Sequence, residues 1–462
     1  MPEDYKVFLH TYGCQMNLYD GELVGSLLQA DGFHLTSHPE DADAILINTC
    51  AVRDHAEQRV LGRLRALGAL KSRHPRLVIG VLGCMAQRLG EELIAQAPTV
   101  DLVLGPDAYR KLPGVLREHL SGHNGHIAWC GGDAQETYGD VLPVRREGVS
   151  AFVAVMRGCD NFCTYCIVPY ARGRERSRPP EEILAEIQTA VNDGFPEIML
   201  LGQNVNSYCW EDLKFPGLLE KIVSEIRHAH PALKDGAEDR PSPLKGAPTQ
   251  RLLRLRFMTS HPRDLSDELI EVMAGGGPVC PSLHLPAQSG SDRILDLMGR
   301  GYTATQYLTK VDQLRSKVEH LALTTDLMCG FPTETEDDFH KTLDLMRAAR
   351  FDDAFTFKYS PRPGTKAARM KDDVPDAVKI ERLERMIVLA RQLADQSRTR
   401  MIGRDVEVLL ENVSPRDESE WTGRTRCGRI ALVPGSYHRG DIKNIVVKEV
   451  RGFSLWGRLT ES

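Results

Sequence analysis

The sequence predicts an α/β protein in three parts. A parallel-sheet α/β domain occupies residues 1–140, a partial (β/α)6 barrel residues 145–398, and a small antiparallel β-barrel residues 399–462. Three observations lead there. Strand-like and helical segments alternate through the first part, and such alternation implies a parallel sheet. A longer βα series with six strand-like segments follows. From Thr399 onward the pattern changes to short strands with glycine turns. A length of 462 residues suits about three domains, at roughly 100–200 residues each.

In the first part the strand-like segments are Lys6–Thr11, Ala44–Asn48 and Leu77–Leu82, followed by helical patterns over Asp20–Ala30, Ala56–Leu70 and Gln87–Gln96. Each strand runs into a cysteine: Cys14, Cys50 and Cys84. Ligands of parallel sheets gather beyond the carboxyl ends of the strands. The three thiols therefore either meet at one sheet edge or are unrelated buried groups. Gly131–Glu147 is polar and turn-rich and reads as a linker.

The second series places strands at Phe152–Met156, Glu197–Leu201, Leu253–Met258, Ser282–Leu285, Ala322–Met328 and Ala354–Tyr359. One helix starts at Pro179-Pro180-Glu181-Glu182, since proline and acids suit a first turn, and Ile183, Ile187 and Val191 recur at helical spacing. In such barrels chemistry belongs at the C-terminal strand ends. His228–Gln250 is proline-rich and reads as an exposed insertion; Asp376–Arg400 reads as a charged amphipathic helix. The last part places strands at Asp405–Leu410, Arg429–Leu432, Ile445–Val450 and Ser454–Leu459, and is mildly basic, with eleven Lys/Arg against nine Asp/Glu.

Composition limits the classes. Apolar residues make up 42% and charged residues 26%, an ordinary soluble globular composition. No apolar run approaches the ~20 residues that span a bilayer, and Met1–Lys6 carries no export pattern. A cytoplasmic protein without a membrane partner is expected. The formal net charge of −6 argues against chain-wide attraction to a polyanion and leaves room for a local basic patch. Eleven cysteines cannot all pair. Thiols of a chain that is not exported stay reduced, so metal binding is the first reading of clustered ones.

The sharpest cluster is Gly158-Cys159-Asp160-Asn161-Phe162-Cys163-Thr164-Tyr165-Cys166, directly after the first barrel strand. Zinc prefers four ligands in paired Cys-x-x-Cys elements, and here there are three, with no fourth nearby in sequence. Thiolates are the usual ligands of iron–sulfur clusters, and a [4Fe–4S] cube held by three cysteines keeps one iron open. This spacing at this place resembles the radical S-adenosylmethionine (SAM) enzymes. Phe162 and Tyr165 either shield that site or simply pack the loop.

The resemblance extends along nearly the whole chain. Thr11-Tyr12-Gly13-Cys14-Gln15-Met16-Asn17, Asn48-Thr49-Cys50-Ala51-Val52-Arg53 and Gly83-Cys84-Met85-Ala86-Gln87 are similar to motifs of the methylthiotransferases. So are Ser289-Gly290-Ser291 and Gly330-Phe331-Pro332-Thr333-Glu334-Thr335. The Gly-Cys-Gln-Met-Asn form resembles the branch acting on N6-isopentenyladenosine in tRNA. The ribosomal-protein branch usually shows Gly-Cys-Pro-Lys-Asn there, and the threonylcarbamoyladenosine branch Gly-Cys-Lys-Val-Asn.

That resemblance implies a transferase that inserts a methylthio group at carbon 2 of the adenine beside the anticodon. It implies two [4Fe–4S] clusters, one on Cys159, Cys163 and Cys166 and a sulfur-bearing one on Cys14, Cys50 and Cys84. One SAM would methylate the sulfur and another would yield the radical, so the clusters and SAM carry the chemistry and no side chain is assigned as catalytic. Gly202, Gln203, Asn204, Gln288 and Ser289, at barrel strand ends, are candidates for holding SAM. The partners implied are a tRNA anticodon stem-loop carrying N6-isopentenyladenosine and an electron donor such as a flavodoxin or ferredoxin. The last part stands where the family has its TRAM domain, an RNA-binding barrel, with Arg424 and Arg426 near Trp421 and Phe453 to grip phosphates and bases. Arg172, Arg174, Arg176 and Arg178 would share one face of an extended segment, as an RNA track or as ordinary solvated charge. His261 either meets the base or is structural. Cys130, Cys209, Cys280, Cys329 and Cys427 read as buried thiols. The rivals are a methylthiotransferase for another substrate (a ribosomal protein aspartate or threonylcarbamoyladenosine tRNA) and a zinc-stabilised RNA-binding protein.

Overall fold

Six strands form the N-terminal sheet: β1 (Lys6–Thr11), β2 (His34–Thr36), β3 (Ala44–Thr49), β4 (Val78–Gly83), β5 (Leu102–Leu104) and β6 (Ile127–Trp129). All are parallel, in the order β2-β1-β3-β4-β5-β6. Every residue of β3 and β4 is buried, as in strands covered on both faces. The covering helices are α1 (Gln15–Ala30), α2 (Asp54–Arg73), α3 (Cys84–Leu89), α4 (Glu91–Gln96) and α5 (Leu112–Leu120). The expected helix at Gln87–Gln96 is two helices, because Gly90 turns left-handed between them. Strands β2, β5 and β6, absent from the sequence reading, are three residues each, too short to show a period. The computed structural model describes residues 4–51, 54–122, 125–133, 135–145, 148–229 and 253–460. The proline-rich insertion therefore lies outside the described residues from position 230 onward.

The central strands are β7 (Ser150–Ala154), β8 (Glu197–Leu201), β9 (Arg254–Phe257), β10 (Ser282–His284), β11 (Ala322–Cys329) and β12 (Asp353–Lys358). Two parallel triplets, β9-β8-β7 and β10-β11-β12, meet at a bridge between Leu255 and Val279. The six thus form one open barrel. Its helices are α6 (Val168–Arg172), α7 (Pro180–Asn192), α8 (Phe215–Ala229), α9 (Asp267–Ala274), α10 (Asp292–Leu297), α11 (Ala304–Lys317), α12 (Glu336–Ala349) and α13 (Asp376–Thr399). Side-chain caps start four of them, from Ser266, Ser291, Thr303 and Thr335. Helix α7 begins at the expected proline with Glu181 and Glu182 in its first turn. A continuous apolar core joins strands to helices, from Val153 and Ile198 through Leu283 and Leu323 to Phe339 and Met386.

The last strands are β13 (Asp405–Val413), β14 (Glu420–Thr425), β15 (Ile430–Pro434), β16 (Ile442–Arg451) and β17 (Ser454–Leu459). They close as β13-β14-β15-β17-β16, one strand more than the sequence suggested. Strand β14 holds Glu, Thr, Gly and Arg and shows no apolar alternation; its partners, not its composition, make it a strand. This barrel docks at the amino ends of the central strands. Arg254 and Arg256, at the start of β9, donate to the carbonyls of Arg424 (2.6 Å), Thr425 (2.8 Å) and Arg426 (2.9 Å).

Charge joins the first two domains, which corrects the reading of the Arg172–Arg178 strip. Of its four arginines only Arg174 is exposed. Arg172 pairs with Asp20 at 2.7 Å and Arg176 with Asp107 at 3.0 Å across the boundary, while Arg178 pairs within the barrel, with Glu186 at 2.7 Å. Asp20, fully buried on α1, also takes Arg157 at 2.9 Å. Apolar packing follows the same boundary, where Ala154 and Leu201 of the barrel join the core of the N-terminal sheet. Tyr138, in the expected linker, is buried in that core and donates to the Pro106 carbonyl at 2.9 Å.

Candidate active site

Three strand ends of the N-terminal sheet bring Cys14, Cys50 and Cys84 to one edge, beside the β1/β3 point where the strand order reverses. Side chains of the flanking motifs tie these ends together. Asn17 accepts from the Cys14 thiol at 3.2 Å and donates to the Thr49 carbonyl at 2.8 Å. Asn48 donates to the Asn17 carbonyl at 2.8 Å, and the Thr49 hydroxyl donates to the Leu82 carbonyl at 2.6 Å. The β1 loop comes so near the β3 loop that a Cβ on Gly13 would stand 2.7 Å from Cys50 Cβ. At φ +134° that position also disfavours a side chain. Cys14 keeps solvent access, whereas Cys50 and Cys84 are buried. The Cys14 thiol is pulled down to about 6, chiefly by its hydrogen bond with Cys50, with the charge of Arg172 acting in the same direction. Burial pushes Cys84 up, against the pull of Arg172.

The second set stands on the loop after β7. Its start needs glycine: Gly158 has φ +79°, and a Cβ there would lie 1.9 Å from the Arg174 carbonyl oxygen. Cys159 N–H donates to the Gly173 carbonyl at 3.2 Å, and Cys166 N–H to the Cys163 carbonyl at 2.9 Å. Thr164 fastens the loop to the end of α10 through Met298 and Leu297. Arg300, almost fully buried, donates to Cys163 Sγ at 3.3 Å and to the Pro286 carbonyl at 2.7 Å. Burial pushes the Cys159 thiol up to about 11 and Cys166 up to about 12. Phe162 is held edge-on by Tyr170, with Arg174 over its ring, while Tyr165 packs with Phe331 and Tyr359.

The two cysteine sets are neighbours across the domain boundary. Ile167, next to Cys166, packs with Ala171, Ala51 and Cys84 in one buried group. Among the described residues, no three His, Cys, Asp or Glu side chains are arranged to hold one metal ion. A cube of four irons spreads its three thiolates wider than a single tetrahedral ion does, and such a cluster suits the donor set. Buried thiols held above the usual range are costly to ionise alone, and a bound metal group supplies the charge that offsets this.

The candidate SAM residues serve the strand ends in different ways. Gly202 packs against Met156, where a Cβ would come within 2.6 Å of its Cγ. Gln203 accepts from the Gly158 N–H and so braces the cysteine loop. Asn204 donates to Asp264 at 2.7 Å, and its Oδ1 is buried without a hydrogen-bond partner. Gln288 lies between β10 and β11 at φ +67°, bonded through its backbone to Asp326 and Met328. Ser289 is fully buried and its hydroxyl pairs with Thr342 of α12 at 3.3 Å. His261, four residues past the end of β9, has its Nε2 buried and unpartnered, as is the Ser260 hydroxyl. Its imidazole is pushed down to about 2 by burial and by Arg300 and Arg263, and is therefore neutral.

Other expectations shift. Arg424 pairs with Glu411 at 3.1 Å, and Arg426 donates to the Val279 carbonyl at 3.3 Å, so Arg426 serves docking. Trp421 packs on the core of the C-terminal barrel, while Phe453 is 70% exposed beside Arg398. Cys280 and Cys329 are buried, Cys130 and Cys427 half-buried, and Cys209 is exposed and not a core thiol. The sequence reading missed Asp20, Arg157 and Arg300. Asp20 did leave a signal: a carboxylate on the helix face of Met16, Leu23 and Val24, where a polar residue is the informative one.

Comparison with known proteins agrees with this architecture. Residues 6–105 match the Uncharacterized protein family UPF0004, residues 153–346 the Radical SAM superfamily, and residues 399–460 the TRAM domain. A tRNA-2-methylthio-N(6)-dimethylallyladenosine synthase of Porphyromonas gingivalis is 45% identical, over 100% of this chain and 96% of that protein. Relatives of the same name are 44% identical in Parabacteroides distasonis (99% and 96% covered) and in Chloroherpeton thalassium (98% and 95%). Among solved structures, the radical S-adenosylmethionine methyltransferase TsrM of Kitasatospora setae aligns with TM-score 0.57 at 14% identity, covering 79% of this chain and 77% of that one. The cobalamin-dependent S-adenosylmethionine radical enzyme OxsB aligns with TM-score 0.51 at 13% identity, covering 84% and 56%. At such identity these two speak for the fold alone.

Proposed function

The chain belongs to the family of tRNA-2-methylthio-N(6)-dimethylallyladenosine synthases, and we propose that it inserts a methylthio group at carbon 2 of N6-isopentenyladenosine beside the tRNA anticodon. The observation that carries this reading is the pair of three-cysteine sets facing each other across the boundary of the first two domains. In this reading Cys159, Cys163 and Cys166 hold one [4Fe–4S] cluster, and Cys14, Cys50 and Cys84 hold a second. When bound, the clusters and SAM supply a radical able to open an unactivated carbon–hydrogen bond and the sulfur that replaces the hydrogen.

The chain's own residues hold, orient and shield. Arg300 steadies Cys163 through a charge-assisted hydrogen bond. Gln203 fixes the start of the loop. The orphaned polar atoms of Asn204, Ser260 and His261 support a polar ligand at the ends of β8 and β9, because a buried group without a partner is otherwise costly. Neutral His261 there donates or accepts without bringing charge. Gly202 and Gln203 follow β8 and Gln288 follows β10, as candidate neighbours of SAM. A flavodoxin or ferredoxin is the proposed electron donor, and the cytoplasm the place of action. No helix among the described residues is long and apolar enough to cross a membrane.

The direct test uses anaerobically reconstituted protein, SAM, a reductant and an anticodon stem-loop carrying N6-isopentenyladenosine. Nucleoside mass spectrometry should show methylthio in place of one hydrogen on that adenine. An unchanged nucleoside, with methylthiolation of a threonylcarbamoyladenosine stem-loop or of a ribosomal-protein peptide instead, overturns the substrate. For RNA binding, Phe453 offers an exposed ring for a base. Phe453→Ala should weaken stem-loop binding by about 1–3 kcal/mol, the usual worth of one stacked base, and unchanged affinity in a titration removes Phe453 from the interface.

A further inference from the structure

Helix α6 starts two residues after Cys166 and ends in Arg172. Arg172 crosses into the N-terminal domain, where its Nε donates to Cys84 Sγ at 3.1 Å and its Nη2 to Asp20 Oδ2 at 2.7 Å. Only 4% of the residue is exposed. Its carbonyl accepts from Arg176 at 3.1 Å, which fixes the end of the helix. The third nitrogen, Nη1, is buried with no hydrogen-bond partner. An unpaired buried N–H is costly, so its place beside Cys84 asks for an acceptor. Asp20 is already shared with Arg157, so two guanidiniums face one carboxylate.

We infer that Arg172 is a positioning residue for the N-terminal cluster, donating to sulfur of that cluster and of Cys84 and so raising its reduction potential from the neighbouring domain. This rests on the two-cluster reading proposed above. Hydrogen bonds to cluster sulfurs are among the recognised determinants of potential. Arg300 makes the corresponding contact to Cys163 in the other set, 3.3 Å from Nη1 to Sγ. Arg172 differs in joining the sets: its helix leaves one cysteine loop and its side chain holds a ligand of the other. That short helix ties the two cysteine sets together directly, beside the Arg157–Asp20 and Arg176–Asp107 pairs of the same boundary.

The test uses the full chain in a Cys159→Ala/Cys163→Ala/Cys166→Ala background, reconstituted anaerobically, so that only the N-terminal cluster reports. Its potential is read by titration followed by electron paramagnetic resonance. Arg172→Met should shift it negative by about a tenfold change in the reduced-to-oxidised ratio, about 59 mV for one electron. Arg172→Lys, which keeps the charge, should restore part of the shift. An unchanged potential in Arg172→Met overturns the inference. If Arg172→Met loses the cluster and Arg172→Lys keeps it, the need for a cation at that sulfur supports the inference. Loss from both overturns it, since the side chain is then required only for packing. A background protein that binds no iron, beside a wild-type chain that does, overturns the two-cluster reading itself and the inference with it.

Discussion

Replacing Cys14, Cys50 and Cys84 together with alanine is expected to lower bound iron from about eight to about four per chain, as for two four-iron clusters, and to abolish methylthiolation. Formation of 5′-deoxyadenosine from SAM should continue. The reason is spatial. These three cysteines stand on the ends of β1, β3 and β4, and the loop of Cys159, Cys163 and Cys166 is anchored elsewhere, by Gly158, Thr164 and Arg300. The reciprocal change, Cys159, Cys163 and Cys166 to alanine, should remove SAM cleavage and leave about four irons. Iron and sulfide analysis with chromatographic assay of 5′-deoxyadenosine decides the matter. About four irons in both the wild type and the Cys14/Cys50/Cys84 variant would leave a one-cluster protein and take away the proposed sulfur carrier. Loss of SAM cleavage in both variants, with the Cys159 cluster intact, would refute the division of labour.

Asp20→Ala should be the most destabilising single change at the domain boundary, by about 3–5 kcal/mol, the usual cost of removing one partner of a buried ion pair. Asp20 is fully buried and accepts from Arg157 at 2.9 Å and Arg172 at 2.7 Å. Its loss leaves two buried guanidiniums without their carboxylate. Arg176 would remain paired with Asp107 across the boundary, so the boundary should loosen first at α1 and α6. Urea denaturation of the apoprotein, with limited proteolysis to locate the opening, measures this. A change within about 0.5 kcal/mol, the range of an ordinary surface substitution, would show that the pair contributes nothing net.

Local chemistry explains what could be read in advance. The Cys159-x-x-x-Cys163-x-x-Cys166 loop is contiguous, so the candidate ligand set is visible in the sequence. Cys14, Cys50 and Cys84 are far apart in the chain, but each ends a strand, and parallel strands bring their ends together. Strands β3 and β4 were legible as long apolar runs, whereas β2, β5 and β6 were too short to carry a period. The arginines were misread because periodicity gives the face a side chain shares, not what lies against that face. Arg172, Arg176 and Arg178 alternate as an exposed strip would, yet their carboxylate partners come from Asp20, Asp107 and Glu186.

The three-part architecture, the βα order and the candidate cluster cysteines were all legible in the chain alone. Hydrophobic period, turn residues and ligand spacing act over short stretches of chain, and a single sequence displays them. Only the tertiary structure decided which arginines meet solvent, that the Ser289 hydroxyl pairs with Thr342, and that the C-terminal barrel docks on the amino ends of the central strands. Those outcomes depend on which distant acceptor reaches a donor first. Burial makes that choice binding, because an unpaired charge or hydrogen-bonding group has no water to turn to.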